Sequence, residues 1–76
     1  MPTTAKELPL IAVRVRALRK SAKLTQQQLA EKAKLSIGSV TQIEQGTTDD
    51  PRLSSLLALA DALDVTLDEL TGRQRR

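Results

Sequence analysis

Apolar residues in this chain recur every three or four positions almost from end to end, and nowhere do they alternate long enough to make a strand. Ile11, Val15, Leu18 and Ala22 follow an i, i+4, i+7, i+11 course. Leu29, Ala30 and Ala33 continue it, and Leu53, Leu56, Leu57, Ala60 and Leu63 form a third stripe. The fold class this predicts is all-α. Size tightens the constraint, because a chain of 76 residues makes one domain and buries only about 60% of its unfolded surface. Its helices must share one small core.

Start and stop signals divide the pattern into five helices. The first is expected from about Pro9 to Ala22, with Pro9 in the first turn, where its missing N–H is harmless. "TAKE", Thr4 to Glu7, has the form of a capping box, but a helix begun there would hold Pro9 in its interior. Residues 1–8 are therefore read as a flexible N-terminal segment, 9–71 as the folded domain and 72–76 as a basic C-terminal tail. Thr25, with Gln28 three residues on, makes a capping box for a second helix from Gln26 to about Ala33. Ser36 caps a third, Ile37 to about Gln45, which Gly46 ends because glycine takes the left-handed conformation cheaply. The polar turn "TTDDP" leads to a fourth helix, about Leu53 to Leu63. Thr66 and Glu69 form another capping box ahead of a short last helix carrying Leu67 and Leu70.

Composition removes whole classes of function. There is no cysteine and no histidine, so the usual transition-metal ligands, a thiol nucleophile and the commonest general base are all missing. The remaining polar groups form no nucleophile and base set; no catalytic residue, metal or cofactor is expected, and the chain is not read as an enzyme. No run approaches the roughly 20 apolar residues that span a bilayer, and the N-terminus lacks a signal pattern. A cytoplasmic protein without a membrane partner is expected. Phe, Tyr and Trp are absent too, which disfavours single-stranded nucleic acid as a ligand, because such binders stack bases on aromatic rings.

Charge is unevenly spread. Residues 1–35 carry eight basic and two acidic side chains (+6), residues 36–70 one and seven (−6), and residues 71–76 three basic ones (+3), which together give the net +3. A basic half either meets an anionic partner or is simply a solvated basic helix beside an acidic one.

Two helices joined by a short turn are the minimum of a helix-turn-helix, and here that corner has company. From Val13 to Leu70, about three quarters of the chain, "VRVRALRKSAKLTQQQLAEKAKLSIGSVTQIEQGTTDDPRLSSLLALADALDVTLDEL" resembles the Cro/repressor-like helix-turn-helix family, also called the XRE family. The specific pieces are Leu18 and Arg19, "LTQQQLA", the Val40, Ile43, Glu44 and Gly46 of "SVTQIEQG", Pro51 in the turn, and "LLALADALDVTLDEL". The resemblance implies a compact five-helix, lambda-repressor-like domain whose second and third helices form the helix-turn-helix. Its implied partner is double-stranded DNA, with helix 37–45 in the major groove and helix two across the backbone.

Stepping 100° per residue, Ile37, Gly38, Thr41, Gln42 and Gln45 share an arc of about 140°, while Ser39, Val40 and Ile43 lie opposite. On the free arc Gln42 can give and accept one hydrogen bond each with adenine, Thr41 can pair with several bases or a phosphate, Ile37 offers methyl groups to thymine, and Gly38 permits close approach. These four are the base-reading candidates; the bland alternative is that they are ordinary exposed helix residues. Phosphate-binding candidates are Gln26 and Gln27 at the start of helix two, Ser36 and Ser39 near the groove, and the cations Arg14, Lys20, Lys23 and Lys34, any of which is as readily a solvated charge. The resemblance implies that Arg19 and Glu44 form a structural ion pair, with Glu44 at the rim between the packed and free faces. Lys23 and Lys34 stand where many family members have glycine, so a left-handed backbone there would cost roughly 1 to 2 kcal/mol, or the turn would take another shape.

The function expected is sequence-specific transcriptional regulation from a pseudo-palindromic operator, bound by a homodimer with half-sites about 34 to 36 Å apart. Leu67 and Leu70 either serve the dimer interface or finish the monomer's core. Without a second domain to sense a ligand, regulation would come from concentration, a partner protein or proteolysis. The protein would be bacterial or phage-encoded and nucleoid-associated when bound. The competing expectation is a protein-interaction module, such as an antitoxin whose main partner is a toxin or another regulator.

Overall fold

Helix boundaries in this protein are set by side chains and turns that satisfy the groups a helix leaves unpaired. The computed structural model describes residues 10–47 and 51–71, which form α1 (Leu10–Ser21), α2 (Gln26–Ala33), α3 (Ile37–Gln45), α4 (Leu53–Leu63) and α5 (Leu67–Thr71). All regular structure among the described residues is helical, as the spacing of apolar residues predicts. Pro9, the Thr4–Glu7 box, the segment 1–8 and the tail 72–76 lie outside the described residues, as do 48–50 of the polar turn.

Both expected capping boxes close. Thr25 Oγ1 accepts from Gln28 N at 3.0 Å while Gln28 Oε1 accepts from Thr25 N at 2.9 Å. Thr66 and Glu69 do the same at 3.1 and 2.9 Å. Ser36 caps α3 by accepting from Ser39 N at 3.1 Å. Each such cap is worth about 1 kcal/mol, which matters for helices of eight and nine residues that would not persist alone.

Helix ends follow one recipe. Lys23 (φ 62°), Lys34 (φ 61°), Gly46 (φ 72°) and Asp64 (φ 59°) are all left-handed. The next residue's N–H then reaches back to the helix, Leu24 to Arg19, Leu35 to Ala30 and Val65 to Ala60, at 2.9 to 3.1 Å. Leu24, Leu35 and Val65 each pack against the core directly after the left-handed residue. That contact offsets the roughly 1 to 2 kcal/mol steric cost of a side chain in this conformation. The two lysines thus keep the turn shape that glycine makes easily, and Asp64 adds a third such position that periodicity does not reveal.

The core is built from Val15 of α1, Leu29, Ala30 and Ala33 of α2, Val40 and Ile43 of α3, Leu59, Ala60, Ala62 and Leu63 of α4, and Leu70 of α5. Helix α1 packs on α3 and α5, and α2 on α3 and α4, so α3 is held from two sides. Three expectations need correction. In α1 the fully buried alanine is Ala12; Ala22 lies beyond the helix and is exposed. In α4 the buried arc keeps Ala60 and Leu63 of the expected stripe, with Leu56 at its edge, but is rotated so that Leu53 is 61% and Leu57 46% exposed and Leu59 is buried completely. The polar side of "LSSLLALADAL" is thin, little more than Ser54 and Asp61 seven residues apart, both exposed, and the expected stripe runs up to its edge. Leu70, a candidate for a dimer interface, has no exposed surface and finishes the monomer's core, while Leu67 packs at its edge.

Candidate nucleic-acid interface

Helix α3 buries one face, against α1 and α2, and leaves the other open. Val40, Ile43 and Glu44 are buried, and Ile37, Gly38, Gln42 and Gln45 are exposed. The exposed set carries no charge. Ile37 is 44% exposed, one of five large apolar side chains that stand exposed among the described residues. Gly38 is exposed without a packing reason, since a Cβ built there would meet only Ser36 Oγ, at 3.9 Å. Gly38 stands in the first turn of α3, where glycine gives up at most about 0.5 to 1 kcal/mol of helix stability relative to alanine, and the fold gains nothing from it.

Glu44 lies deeper than the rim position expected for it: its side chain has no exposed surface. Arg19 Nε donates to Glu44 Oε2 at 2.6 Å and Nη2 donates to Oε1 at 3.1 Å, a bidentate pair joining α1 to α3. Arg19 Nη1 donates to the carbonyl of Leu24 at 2.8 Å, so the same guanidinium also holds the turn that leads into α2. Gln26 Nε2 gives Glu44 Oε1 a third bond, at 3.0 Å. Gln26 Oε1 in turn accepts from Thr41 Oγ1 at 3.3 Å. A continuous hydrogen-bonded path therefore runs from the interior to the edge of the exposed face of α3, and no buried side-chain polar atom among the described residues lacks a partner.

The remaining expected residues are scattered around this pair of helices. Gln27, one residue after Gln26 at the start of α2, is exposed and bonds Glu31 at 3.2 Å. Ser36 Oγ and Ser39 Oγ share a hydrogen bond at 3.0 Å while Ser36 also caps α3, so one hydroxyl hydrogen of the two is spent within the fold. Lys20 and Lys23 are exposed near the turn before α2. Lys34 is exposed and lines a shallow groove with Lys32, Ala58 and Asp61, between the end of α2 and the body of α4. Arg14 is not gathered with the others: its Nε donates to the Glu69 carbonyl in α5 at 2.9 Å.

Sequence reasoning passed over Arg52. It is the one basic residue between 36 and 70, and it lines an open groove shared by Ser39 and Gln42 of α3 and Ser54 and Ser55 of α4. Its isolation in an acidic stretch was the available signal. The link from Gln26 to Glu44 had none, because the two stand 18 residues apart and meet only when α2 crosses α3.

Comparison with known proteins agrees with this geometry. A family model described as helix-turn-helix matches residues 15–70. The immunity repressor protein of Bacillus phage phi105 is 42% identical over 64 residues, covering 84% of this chain and 44% of that protein. The cryptic phage CTXphi transcriptional repressor RstR of Vibrio cholerae serotype O1 is 38% identical over 55 residues, 72% of this chain and 48% of the repressor. The chain thus spans less than half the length of these relatives. The crystal structure of the restriction-modification controller protein C.AhdI from Aeromonas hydrophila superposes with a TM-score of 0.77 at 34% identity, covering 82% of this chain and 92% of that one. A five-helix fold shared with a controller protein, a family match over most of the chain and two phage repressors among its relatives place this chain in the XRE-like helix-turn-helix family, a family of DNA-binding proteins rather than of enzymes.

Proposed function

We propose that this protein is a transcriptional regulator that binds double-stranded DNA with α3 in the major groove and the start of α2 against the phosphate backbone. The observation that carries the reading is the division of α3: Val40, Ile43 and Glu44 are buried, while Ile37, Gly38 and Gln42 stand exposed beside the start of α2. Gln42 then reads adenine with its amide, Ile37 meets a thymine methyl, and Gly38 lets the backbone come close. The charge for phosphates lies elsewhere, in the +6 of residues 1–35 and in Arg52 at the flank of α3. Gln27, Ser39, Lys20 and Lys23 join it, whereas the bonds of Arg14 and Ser36 within the fold leave them lesser parts.

A single reader of so few base pairs selects poorly, so the regulator acts as a homodimer on a pseudo-palindromic site. With Leu70 inside the core, the apolar surface for a second copy is Leu53 and Leu57, four residues apart on α4, with Leu67 nearby in sequence on α5. It works in the cytoplasm, on the nucleoid. The phage and controller relatives named above are regulators, which favours this over a module whose main partner is a toxin.

Selection of bound sites from random duplex DNA, repeated at two salt concentrations, tests the proposal. One palindrome should emerge, with affinity falling by orders of magnitude between 50 and 200 mM salt if six or more phosphates are held, as is typical of such contacts. Gln42→Ala should relax preference at one base pair per half-site. Salt-sensitive binding without any sequence preference would refute the regulator reading.

A further inference from the structure

We propose that Thr41 reads DNA only as a hydrogen-bond acceptor, and that this polarity is imposed on it from the protein interior through Gln26. The inference rests on α3 being the reading helix. A free threonine hydroxyl can give or take a hydrogen bond, and so tells bases apart poorly. Here the hydroxyl is not free.

The direction of every bond in the path follows from its first member. The carboxylate of Glu44 has no hydrogen to give and already accepts from Arg19 Nε and Nη2. Whatever Gln26 presents to Glu44 Oε1 at 3.0 Å must therefore be its NH₂ group, because an amide rotated by 180° would set two acceptor oxygens against each other. With Nε2 turned inward, Gln26 Oε1 faces Thr41. That oxygen can only accept, so the one hydrogen of the Thr41 hydroxyl is spent on it, at 3.3 Å. Two lone pairs and a methyl group remain for DNA. On the major-groove edge they match the N6 amino group of adenine or the N4 amino group of cytosine, and they oppose O4 of thymine and O6 of guanine. Glu44, wholly buried and out of reach of DNA, is in this way a positioning residue for base choice, and Gln26 is the relay.

Every base pair presents one amino group on its major-groove edge, so the test must resolve the two strands. The base pair read by Thr41 is first located as the position where Thr41→Val relaxes preference in the selected site. In that pair the adenine is replaced by purine, or the cytosine by pyrimidin-2-one, each of which lacks only the amino group. The opposite base is separately stripped of its O4 or O6. Loss of the amino group should weaken binding of the unaltered protein about three- to tenfold, the usual worth of one hydrogen bond. It should not weaken Thr41→Val further, while Thr41→Ser, which keeps the hydroxyl, should retain the dependence. Gln26→Met, which frees the hydroxyl hydrogen without removing the Arg19 pair from Glu44, should reduce the penalty for reversing that base pair.

Three results would overturn the proposal. The penalty could follow removal of the O4 or O6 oxygen instead of the amino group. Gln26→Met could weaken all sequences alike and leave the reversal penalty intact, which would make Gln26 a phosphate contact only. Thr41→Val could leave preference unchanged at every position of a site that is otherwise read specifically. A protein with no sequence preference at all would remove the regulator reading along with this one, and is distinguished by the initial selection.

Discussion

Replacing Arg19 with alanine removes more than a surface ion pair would suggest. Glu44 is wholly buried and takes three hydrogen bonds, two of them from Arg19 and one from the neutral amide of Gln26. Arg19→Ala leaves that carboxylate with a single neutral protein donor, the situation in which breaking a buried pair costs about 3 to 5 kcal/mol. The Leu24 carbonyl also loses its donor, so the turn into α2 loosens. A chain of 76 residues has a total stability on the order of 4 to 11 kcal/mol, so the change consumes a large fraction of it. Thermal unfolding followed by circular dichroism should show Tm lowered by at least about 12 °C, at roughly 4 to 8 °C per kcal/mol for a domain of this size. Operator affinity should fall too, because Glu44 holds α3 to α1 and orients Gln26. Pairing the change with Glu44→Met, as Arg19→Met and Glu44→Met together, should recover much of the loss, since no charge is then stranded. A fall in Tm under about 4 °C, the range of an exposed pair worth 0 to 1 kcal/mol, would refute the reasoning.

Gly38→Ala should move stability and binding in opposite directions: about 0.5 to 1 kcal/mol more stable in urea titration, because the site has room for a Cβ, yet roughly tenfold weaker on operator DNA, because the methyl enters a close contact. Equal affinity would mean that DNA does not approach that position. Asp64→Gly relieves a left-handed side chain at φ 59° and should raise stability by about 0.5 to 1 kcal/mol with DNA binding unchanged. Leu57→Glu should shift sedimentation from dimer to monomer and leave only weak half-site binding, while the melting of the monomer changes little because Leu57 is already exposed. A dimer that survives this change lies on another surface.

The reading role proposed for α3 gives a reason for the little charge it carries. Its base-facing residues specify, and charge there would pull toward phosphates of any sequence. In the proposed binding mode the phosphate attraction comes instead from α1 and α2, while α3 is held by burial of Val40 and Ile43 and by the Arg19 pair. The left-handed lysines fit the same division. Lys23 and Lys34 keep the turn geometry that brackets α2, and each adds a positive charge where glycine would add none.

Much of the architecture was legible because it is decided locally. Thr25, Ser36 and Thr66 mark helix starts with hydrogen bonds that reach only three residues, and Gly46 marks an end through its own backbone; such signals need no knowledge of the rest of the fold. The boundaries of α2, α3 and α4 and the choice of exposed arc on α3 follow from them and from helical periodicity. What periodicity does not supply is the exact rotation of a helix with so thin a polar side: the spacing predicts Leu53 and Leu57 buried, whereas Leu59 is the leucine with no exposed surface. Leu70 was ambiguous for a related reason: on a five-residue helix an apolar side chain can face the core or a partner, and only the packing of α5 on α1 and α4 decides it. Sequence by itself determined which residues are helical and which types of side chain could meet DNA. Tertiary structure alone decided how deep Glu44 sits, that Arg14 is committed to α5 and that Gln26 joins Glu44 to Thr41, because those contacts span 15 to 55 residues of chain and exist only when separate helices cross.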